Sequence, residues 1–288
     1  MRVTPPDLRR MKERGERIPV LTAYDAPTAR ILDEAGIPVL LVGDSLAMVV
    51  LGYENTTTVT MAEMLHHTRA VVRGSQKALV VADMPFMSYT VTVERALDNA
   101  ARFIQEAGAQ AVKIEGGERV AHTIRRMVDG GVPVMGHLGL TPQQVLNLGG
   151  YKVQGRSVET AERIVRDAIL VEEAGAFAVV LECIPAPLGQ LVSESLRIPT
   201  IGIGAGAGCD GQVQVVHDIL GLCPGFQPKH AKVYATLAEE IGQAVGRYAE
   251  EVRTNRFPAQ EQSYGMDADL VRVLRERIRS EGWSHAAP

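Results

Sequence analysis

Pro38-Val-Leu-Leu-Val-Gly-Asp44-Ser45 decides how this chain is read. Four apolar residues in a row, without alternation, read as a strand buried on both faces, the habit of a parallel sheet. The run ends abruptly in a glycine, an acid and a hydroxyl. A carboxylate therefore arrives where the strand should leave the core. Burying Asp44 unpaired would be costly, so a cation, a donor network or solvent has to meet it there.

Working outward, similar runs recur at residues 19–25, 79–85, 111–117, 133–139, 177–183, 200–206 and 212–217. Segments with helical spacing separate most of them, at 26–35, 61–73, 93–107, 118–129, 157–174 and 187–196, and several stop at glycine. Further helices are expected at 7–15, 234–254 and 267–280. About eight βα units in roughly 250 residues predict an α/β fold, the (β/α)₈ TIM barrel. An open doubly wound sheet is disfavoured, because polar strand ends recur on nearly every strand rather than at one switch point.

Barrel strands alternate between the interior and the surrounding helices. A charged pair cannot face an apolar helix layer cheaply, so Lys113 and Glu115 are expected to point inward, with Val112 and Ile114 outward. The same alternation is expected to send Asp44 inward with Val42, Asp83 with Val81, His137 with Met135 and Glu182 with Val180. Parallel strands end at one mouth, so these six ionisable residues should converge there. All but Glu182, which has few, have a plainer reading. Asp44 could cap the next segment, Asp83 could be a turn acid, and Lys113 with Glu115 could be a structural ion pair. His137 could be a core histidine bonded to backbone. Cys183 has the opposite parity and reads as a core residue.

Acids on adjacent strands, with no histidine or cysteine at ligand spacing, suit a hard cation such as Mg²⁺ better than zinc. Such a cation can chelate a 2-oxo acid and stabilise an enolate as a Lewis acid. A neighbouring carboxylate would then remove a proton, and a lysine would balance charge. Gly206-Ala-Gly-Cys-Asp-Gly211 matches a dinucleotide fingerprint, but a strand-like run follows it where a helix is needed. A tight β7–β8 turn at the mouth is the expected role for those glycines.

Composition narrows the class further. With 46% hydrophobic and 22% charged residues the chain is an ordinary globular one, and a net charge of −4 without like-charge blocks argues against nucleic-acid or anionic-membrane binding. Cys183, Cys209 and Cys223 lack framework or metal-ligand spacing, which points to a reducing compartment. No signal segment or long apolar run is read, so a cytoplasmic protein is expected.

Seven motifs then become recognisable: Gly43-Asp-Ser-Leu-Ala-Met-Val, Ala82-Asp-Met-Pro-Phe, Val112-Lys-Ile-Glu-Gly-Gly, Gly136-His-Leu-Gly-Leu-Thr-Pro-Gln, Gly149-Gly-Tyr-Lys-Val-Gln-Gly, Leu181-Glu-Cys-Ile-Pro and Ile201-Gly-Ile-Gly-Ala-Gly. Together they resemble the 3-methyl-2-oxobutanoate (ketopantoate) hydroxymethyltransferase family over about residues 3–266. The resemblance implies a barrel of the phosphoenolpyruvate/pyruvate superfamily type over residues 1–266, with an N-terminal helix, and a helical extension over 267–288. It implies hydroxymethyl transfer from 5,10-methylenetetrahydrofolate to 3-methyl-2-oxobutanoate through a Mg-chelated enolate, giving 2-dehydropantoate for pantothenate synthesis.

By the same resemblance Asp44 and Asp83 are direct ligands of one Mg²⁺ per subunit, and Glu115 lies near the metal through its water shell. Ser45 and Lys113 contact the 2-oxo acid, with Asp44, Asp83 and His137 also lining its site, and Glu182 is the general base. A homodecamer is implied as well. Three departures stand out: Ala47 replaces a usual glycine, Thr57-Thr58 stands where Leu-Pro is common, and the tail from about Asp267 to Pro288 is expected to extend past the family's usual end. The rival readings are a carbon–carbon lyase or aldolase for a 2-oxo acid on the same metal-dependent barrel, and a non-catalytic ketoacid-binding protein.

Overall fold

The computed structural model describes residues 1–223, 225 and 227–283. Its eight strands are β1 (Ile18–Thr22), β2 (Val39–Val42), β3 (Leu79–Asp83), β4 (Ala111–Glu115), β5 (Val134–Gly139), β6 (Ala178–Glu182), β7 (Thr200–Ile203) and β8 (Gly211–Gln214). They pair in parallel in chain order and close into a barrel, β8 returning to β1. The helices are α1 (Pro5–Glu13), α2 (Ala26–Glu34), α3 (Leu46–Val49), α4 (Met61–Gly74), α5 (Val93–Gln105), α6 (Glu118–Asp129), α7 (Val145–Leu148), α8 (Val158–Glu173), α9 (Ala186–Ser195), α10 (Val216–Ile219), α11 (Leu237–Arg253) and α12 (Ala268–Ser280). The expected (β/α)₈ barrel, with its N-terminal helix, is what the chain forms.

Local chemistry starts the helices where the sequence placed them. Asp25 accepts from Thr28 N at 2.8 Å, and Thr60 and Glu63 make a reciprocal capping box. α6 buries Val120, Thr123, Ile124 and Met127, one stripe at helical spacing. The strands sort their side chains by period two. Val39, Leu41, Leu79, Val81, Ala111, Met135, Ala178, Val180 and Ile201 fill the interior. Leu8 of α1 joins that cluster and so closes the N-terminal end. Leu40, Val42, Val80, Ala82, Val112, Ile114, Val179 and Leu181 pack outward with residues such as Phe103, Ile124 and Val171. Full burial of Phe103 alone stabilises the outer layer by roughly 1.5–3 kcal/mol.

Two expectations are corrected. Val42 belongs to the outer layer and Val39 and Leu41 to the interior, so strand parity does not carry Asp44 inward. β2 ends at Val42, and the turn through Gly43 redirects the chain. The second correction concerns the glycine motif. β7 and β8 are parallel, so their connection cannot be a turn at the mouth; it must run back to the opposite end. Residues 204–210 make that return without a helix, pressed against α9. A Cβ on Gly206 would lie 2.4 Å from Ala186 Cβ, and one on Gly208 2.6 Å from Gln190 Cβ. At the far end Asp210 accepts from Thr200 N at 2.8 Å.

The first two departures from the family pattern are absorbed locally. Ala47 is buried within the helical turn of α3, which alanine favours. Thr57 and Thr58 form a single 3₁₀ turn with Thr56, capped by Asn55 Oδ1 on Thr57 N at 3.0 Å. The chain divides into two compact units, Met1–Thr236 and Leu237–Pro288. The second unit contains α11 and α12. No residue of α11 or α12 is buried. Residues 284–288 of the expected extension lie outside the described residues. Among the described residues no helix is long and apolar enough to cross a membrane.

Candidate active site

Alternation along β3, β4, β5 and β6 delivers Asp83, Lys113, Glu115, His137 and Glu182 to the interior at the mouth. Strand register sets their neighbours: Asp83 lies opposite Lys113, and Glu115 opposite His137. Lys113 Nζ bonds Asp83 Oδ1 in a buried ion pair. Asp44 arrives from the adjacent strand by its turn, and its backbone N–H donates to Asp83 Oδ2 at 3.1 Å. A Cβ on Gly43 in that turn would stand 2.7 Å from Ser45 Oγ, so a side chain there would displace the serine hydroxyl. All six ionisable residues named from the sequence are therefore brought to one mouth.

Ser45 is half-buried and its hydroxyl pairs with Tyr24 Oη at 2.8 Å. Tyr24 is held in turn, its carbonyl meeting His67 Nδ1 at 2.7 Å. Asp44, at 5% exposure, sits as deep as Asp83, Lys113, Glu115 and His137, whereas the Glu182 side chain keeps 15%. His137 Nε2 lies 3.2 Å from Glu182 Oε2 and its Nδ1 3.6 Å from Glu115 Oε1. Both contacts are close but poorly directed, and neither ring nitrogen makes an aligned hydrogen bond.

The electrostatics are those of excess negative charge in a dry place. Burial, then repulsion from Asp83, pushes the Asp44 carboxyl up; burial and then Asp44 push Glu115 up as well. Burial opposes the Lys113 charge, but Asp83, Glu115 and Asp44 outweigh it and hold the ammonium protonated. One buried cation faces three buried carboxylates. Glu115 Oε1 is left without any partner. Among the described residues no three His, Cys, Asp or Glu side chains make a ready metal shell. The donor set instead suits a hard divalent ion that takes one or two carboxylates and leaves its other positions to water and substrate.

Residues outside the strands complete the mouth and escaped sequence reasoning. Gln143 bonds Asp44 and Glu115, and Tyr89 bonds Gln143. Their only sequence signal is that Gln143 closes the motif beginning at Gly136. Cys183, next to Glu182, adopts a left-handed φ of 47° and turns the chain off β6. Burial, then Glu182, pushes its thiol up to about 11, which makes it a poor nucleophile.

Phosphonopyruvate hydrolase has a similar structure, with a TM-score of 0.61 at 13% identity over 99% of this chain and all of that one. 2,3-Dimethylmalate lyase, a PEP mutase/isocitrate lyase superfamily member, gives 0.54 at 18% identity, over 98% of this chain and 99% of that one. At such identities these likenesses concern the fold. In sequence, the chain is 59% identical over 275 residues to 3-methyl-2-oxobutanoate hydroxymethyltransferase of Chloroflexus aurantiacus (strain ATCC 29366 / DSM 635 / J-10-fl), spanning 95% of this chain and 97% of that one. It is 56% identical over 278 residues to the enzyme of the same name from Dehalococcoides mccartyi (strain CBDB1), spanning 96% of this chain and all of that one. The profile of the family described as ketopantoate hydroxymethyltransferase matches residues 2–260. On that match and those identities, the chain belongs to the ketopantoate hydroxymethyltransferase family and is an enzyme, a hydroxymethyltransferase.

Proposed function

We propose that the enzyme moves a hydroxymethyl group from 5,10-methylenetetrahydrofolate to 3-methyl-2-oxobutanoate, forming 2-dehydropantoate, with one Mg²⁺ per subunit. Asp44 and Asp83 would hold the ion directly, and Glu115 through its water shell. When bound, Mg²⁺ would polarise the 2-oxo carbonyl and offset the charge left when C3 loses its proton. The observation that carries this reading is the meeting of Asp44, Asp83 and Lys113 at one point of the mouth, beside a more open Glu182.

The chain's own residues supply the rest. Ser45 Oγ and Lys113 Nζ offer donors to the carboxylate and carbonyl of the ketoacid. Glu182 takes the C3 proton, and His137 keeps that carboxylate turned toward the substrate. Water cleaves the two C–N bonds of the folate methylene, giving tetrahydrofolate and formaldehyde; C3 bonds to the formaldehyde carbon, and its oxygen takes the proton held by Glu182. Supporting the transferase over a lyase, Cys183 beside Glu182 is half-buried rather than in the core as expected, because its left-handed turn breaks the strand alternation, and burial raises its thiol pKa.

The test is direct. With Mg²⁺ and the ketoacid, C3 should exchange deuterium without folate, and 2-dehydropantoate should form only when methylenetetrahydrofolate is added. Absence of C3 exchange in a folded, Mg²⁺-loaded enzyme would overturn the reading. The same reading includes a homodecamer, checked by light scattering, and a cytoplasmic place, supported by three free cysteines. It also keeps residues 1–266 as the catalytic part and 267–288 as an extension, checked by truncation after 266.

A further inference from the structure

Gln143 follows β5 in a 3₁₀ turn, Pro142–Gln144, and reaches across the mouth with only 5% exposure. Its amide Nε2 donates to Asp44 Oδ2 at 2.9 Å and to the Met84 carbonyl at 3.0 Å. Its backbone N–H donates to Glu115 Oε2 at 3.1 Å. One residue thus bonds the loops or ends of three successive strands, β2, β3 and β4, from a fourth.

The amide cannot turn over. The Met84 carbonyl can only accept, so the Gln143 nitrogen must face it, which leaves Oε1 to accept from Tyr89 Oη at 2.8 Å; that hydroxyl also has the Glu115 carbonyl within 3.4 Å and accepts from Glu115 N at 3.2 Å. Oε1 is then the acceptor, and Nε2 must present both protons to Asp44 and Met84. The result is selective. One oxygen of Asp44 and one of Glu115 are tied, and Glu115 Oε1 is left buried and unbonded. An unbonded carboxylate oxygen in a dry site is an acceptor held ready for the water shell of an ion.

We propose that Gln143, oriented by Tyr89, is the positioning residue that presents Asp44 and Glu115 to the divalent cation. The inference rests on the cation reading proposed above. Gln143 touches neither substrate nor the reacting carbon; it acts through the acids. Partners of this kind commonly account for about 10–100-fold in metal affinity when removed.

The experiment measures Mn²⁺ binding by electron paramagnetic resonance in wild type, Gln143→Ala and Tyr89→Phe, with melting temperature recorded for each. Gln143→Ala should weaken Mn²⁺ at least about tenfold, and Tyr89→Phe, which keeps the amide but frees it to rotate, by a smaller factor. C3 deuterium exchange by Gln143→Ala should recover toward the wild-type rate at saturating Mg²⁺. Such recovery marks misplaced ligands rather than a damaged fold. Unchanged Mn²⁺ affinity in both folded variants would overturn the inference while leaving the cation reading intact. A loss of exchange that no Mg²⁺ concentration restores would also overturn it. Wild-type enzyme that bound no Mn²⁺ would sink both together.

Discussion

The imidazole of His137 stands with Nε2 3.2 Å from Glu182 Oε2. β5 and β6 are adjacent and parallel, and alternation turns both side chains inward. His137 fills the space between Glu182 and Glu115 and limits where the Glu182 carboxylate can swing. Glu182 is the more exposed acid of the mouth. A positioned base contributes roughly 10²–10⁴ in rate. Glu182→Gln should therefore lose at least about 100-fold of C3 deuterium exchange, followed by NMR, while Mn²⁺ binding stays near wild type. Near-normal exchange would remove Glu182 from the base role.

Asp44 sits where function opposes stability. Its folded pKa is raised above the unfolded value, so between about 4 and about 7 the folded state binds more protons. Acidifying through that window should stabilise the metal-free enzyme, and the ionised carboxylate at pH 8 should cost stability. Asp44→Asn is expected to raise metal-free stability at pH 8 by on the order of 2 kcal/mol and to show none of the rise in melting temperature expected of wild type on adding Mg²⁺. Thermal melts with and without Mg²⁺ check both signs at once. A variant less stable than wild type without metal would contradict the electrostatic account.

Gly139 ends β5 at φ +90°, in the left-handed region that glycine tolerates. A Cβ there would lie 2.2 Å from the Glu182 carbonyl oxygen and 2.8 Å from Ile184 Cγ2. That same carbonyl accepts from Leu140 N at 2.9 Å, so it cannot retreat freely. Gly139→Ala should destabilise the barrel by more than about 3 kcal/mol, read by urea unfolding. A loss under 1 kcal/mol would mean that the β5–β6 approach is looser than the structure has it.

Far from the mouth, Asp33 at the end of α2 accepts from the backbone N–H groups of Gln76, Lys77 and Ala78, at 3.0, 2.9 and 2.6 Å. Burial would raise its pKa, but these three donors win and hold it below the ordinary value. A lowered folded pKa gives stability that is present above about pH 4 and lost as pH falls through the folded value. Asp33→Asn keeps only one accepting oxygen and should cost about 2–4 kcal/mol at pH 7 by urea unfolding, with a smaller cost at pH 3. An equal cost at both pH values would rule out the charge as the cause.

The barrel was legible because its strands are short buried runs whose period of two is a local property of the extended chain. Asp83, Lys113, Glu115, His137 and Glu182 each lie in phase with interior partners, so their direction followed from counting along one strand. Asp44 reached the right place for the wrong reason: β2 stops at Val42, and a glycine turn, not alternation, aims it. Residues 206–211 read as a mouth turn in the sequence, because only the parallel pairing of β7 and β8 requires the chain to travel back along α9. Gln143 and Tyr89 lie in loops, where no period links position to direction. The amino-acid order by itself determined the cylinder and which strands bear charge toward its mouth. Only the tertiary structure decided how Asp44 enters, which oxygens stay free, and which loop residues hold the acids. Those outcomes depend on hydrogen bonds between segments remote in sequence, and no local pattern encodes them.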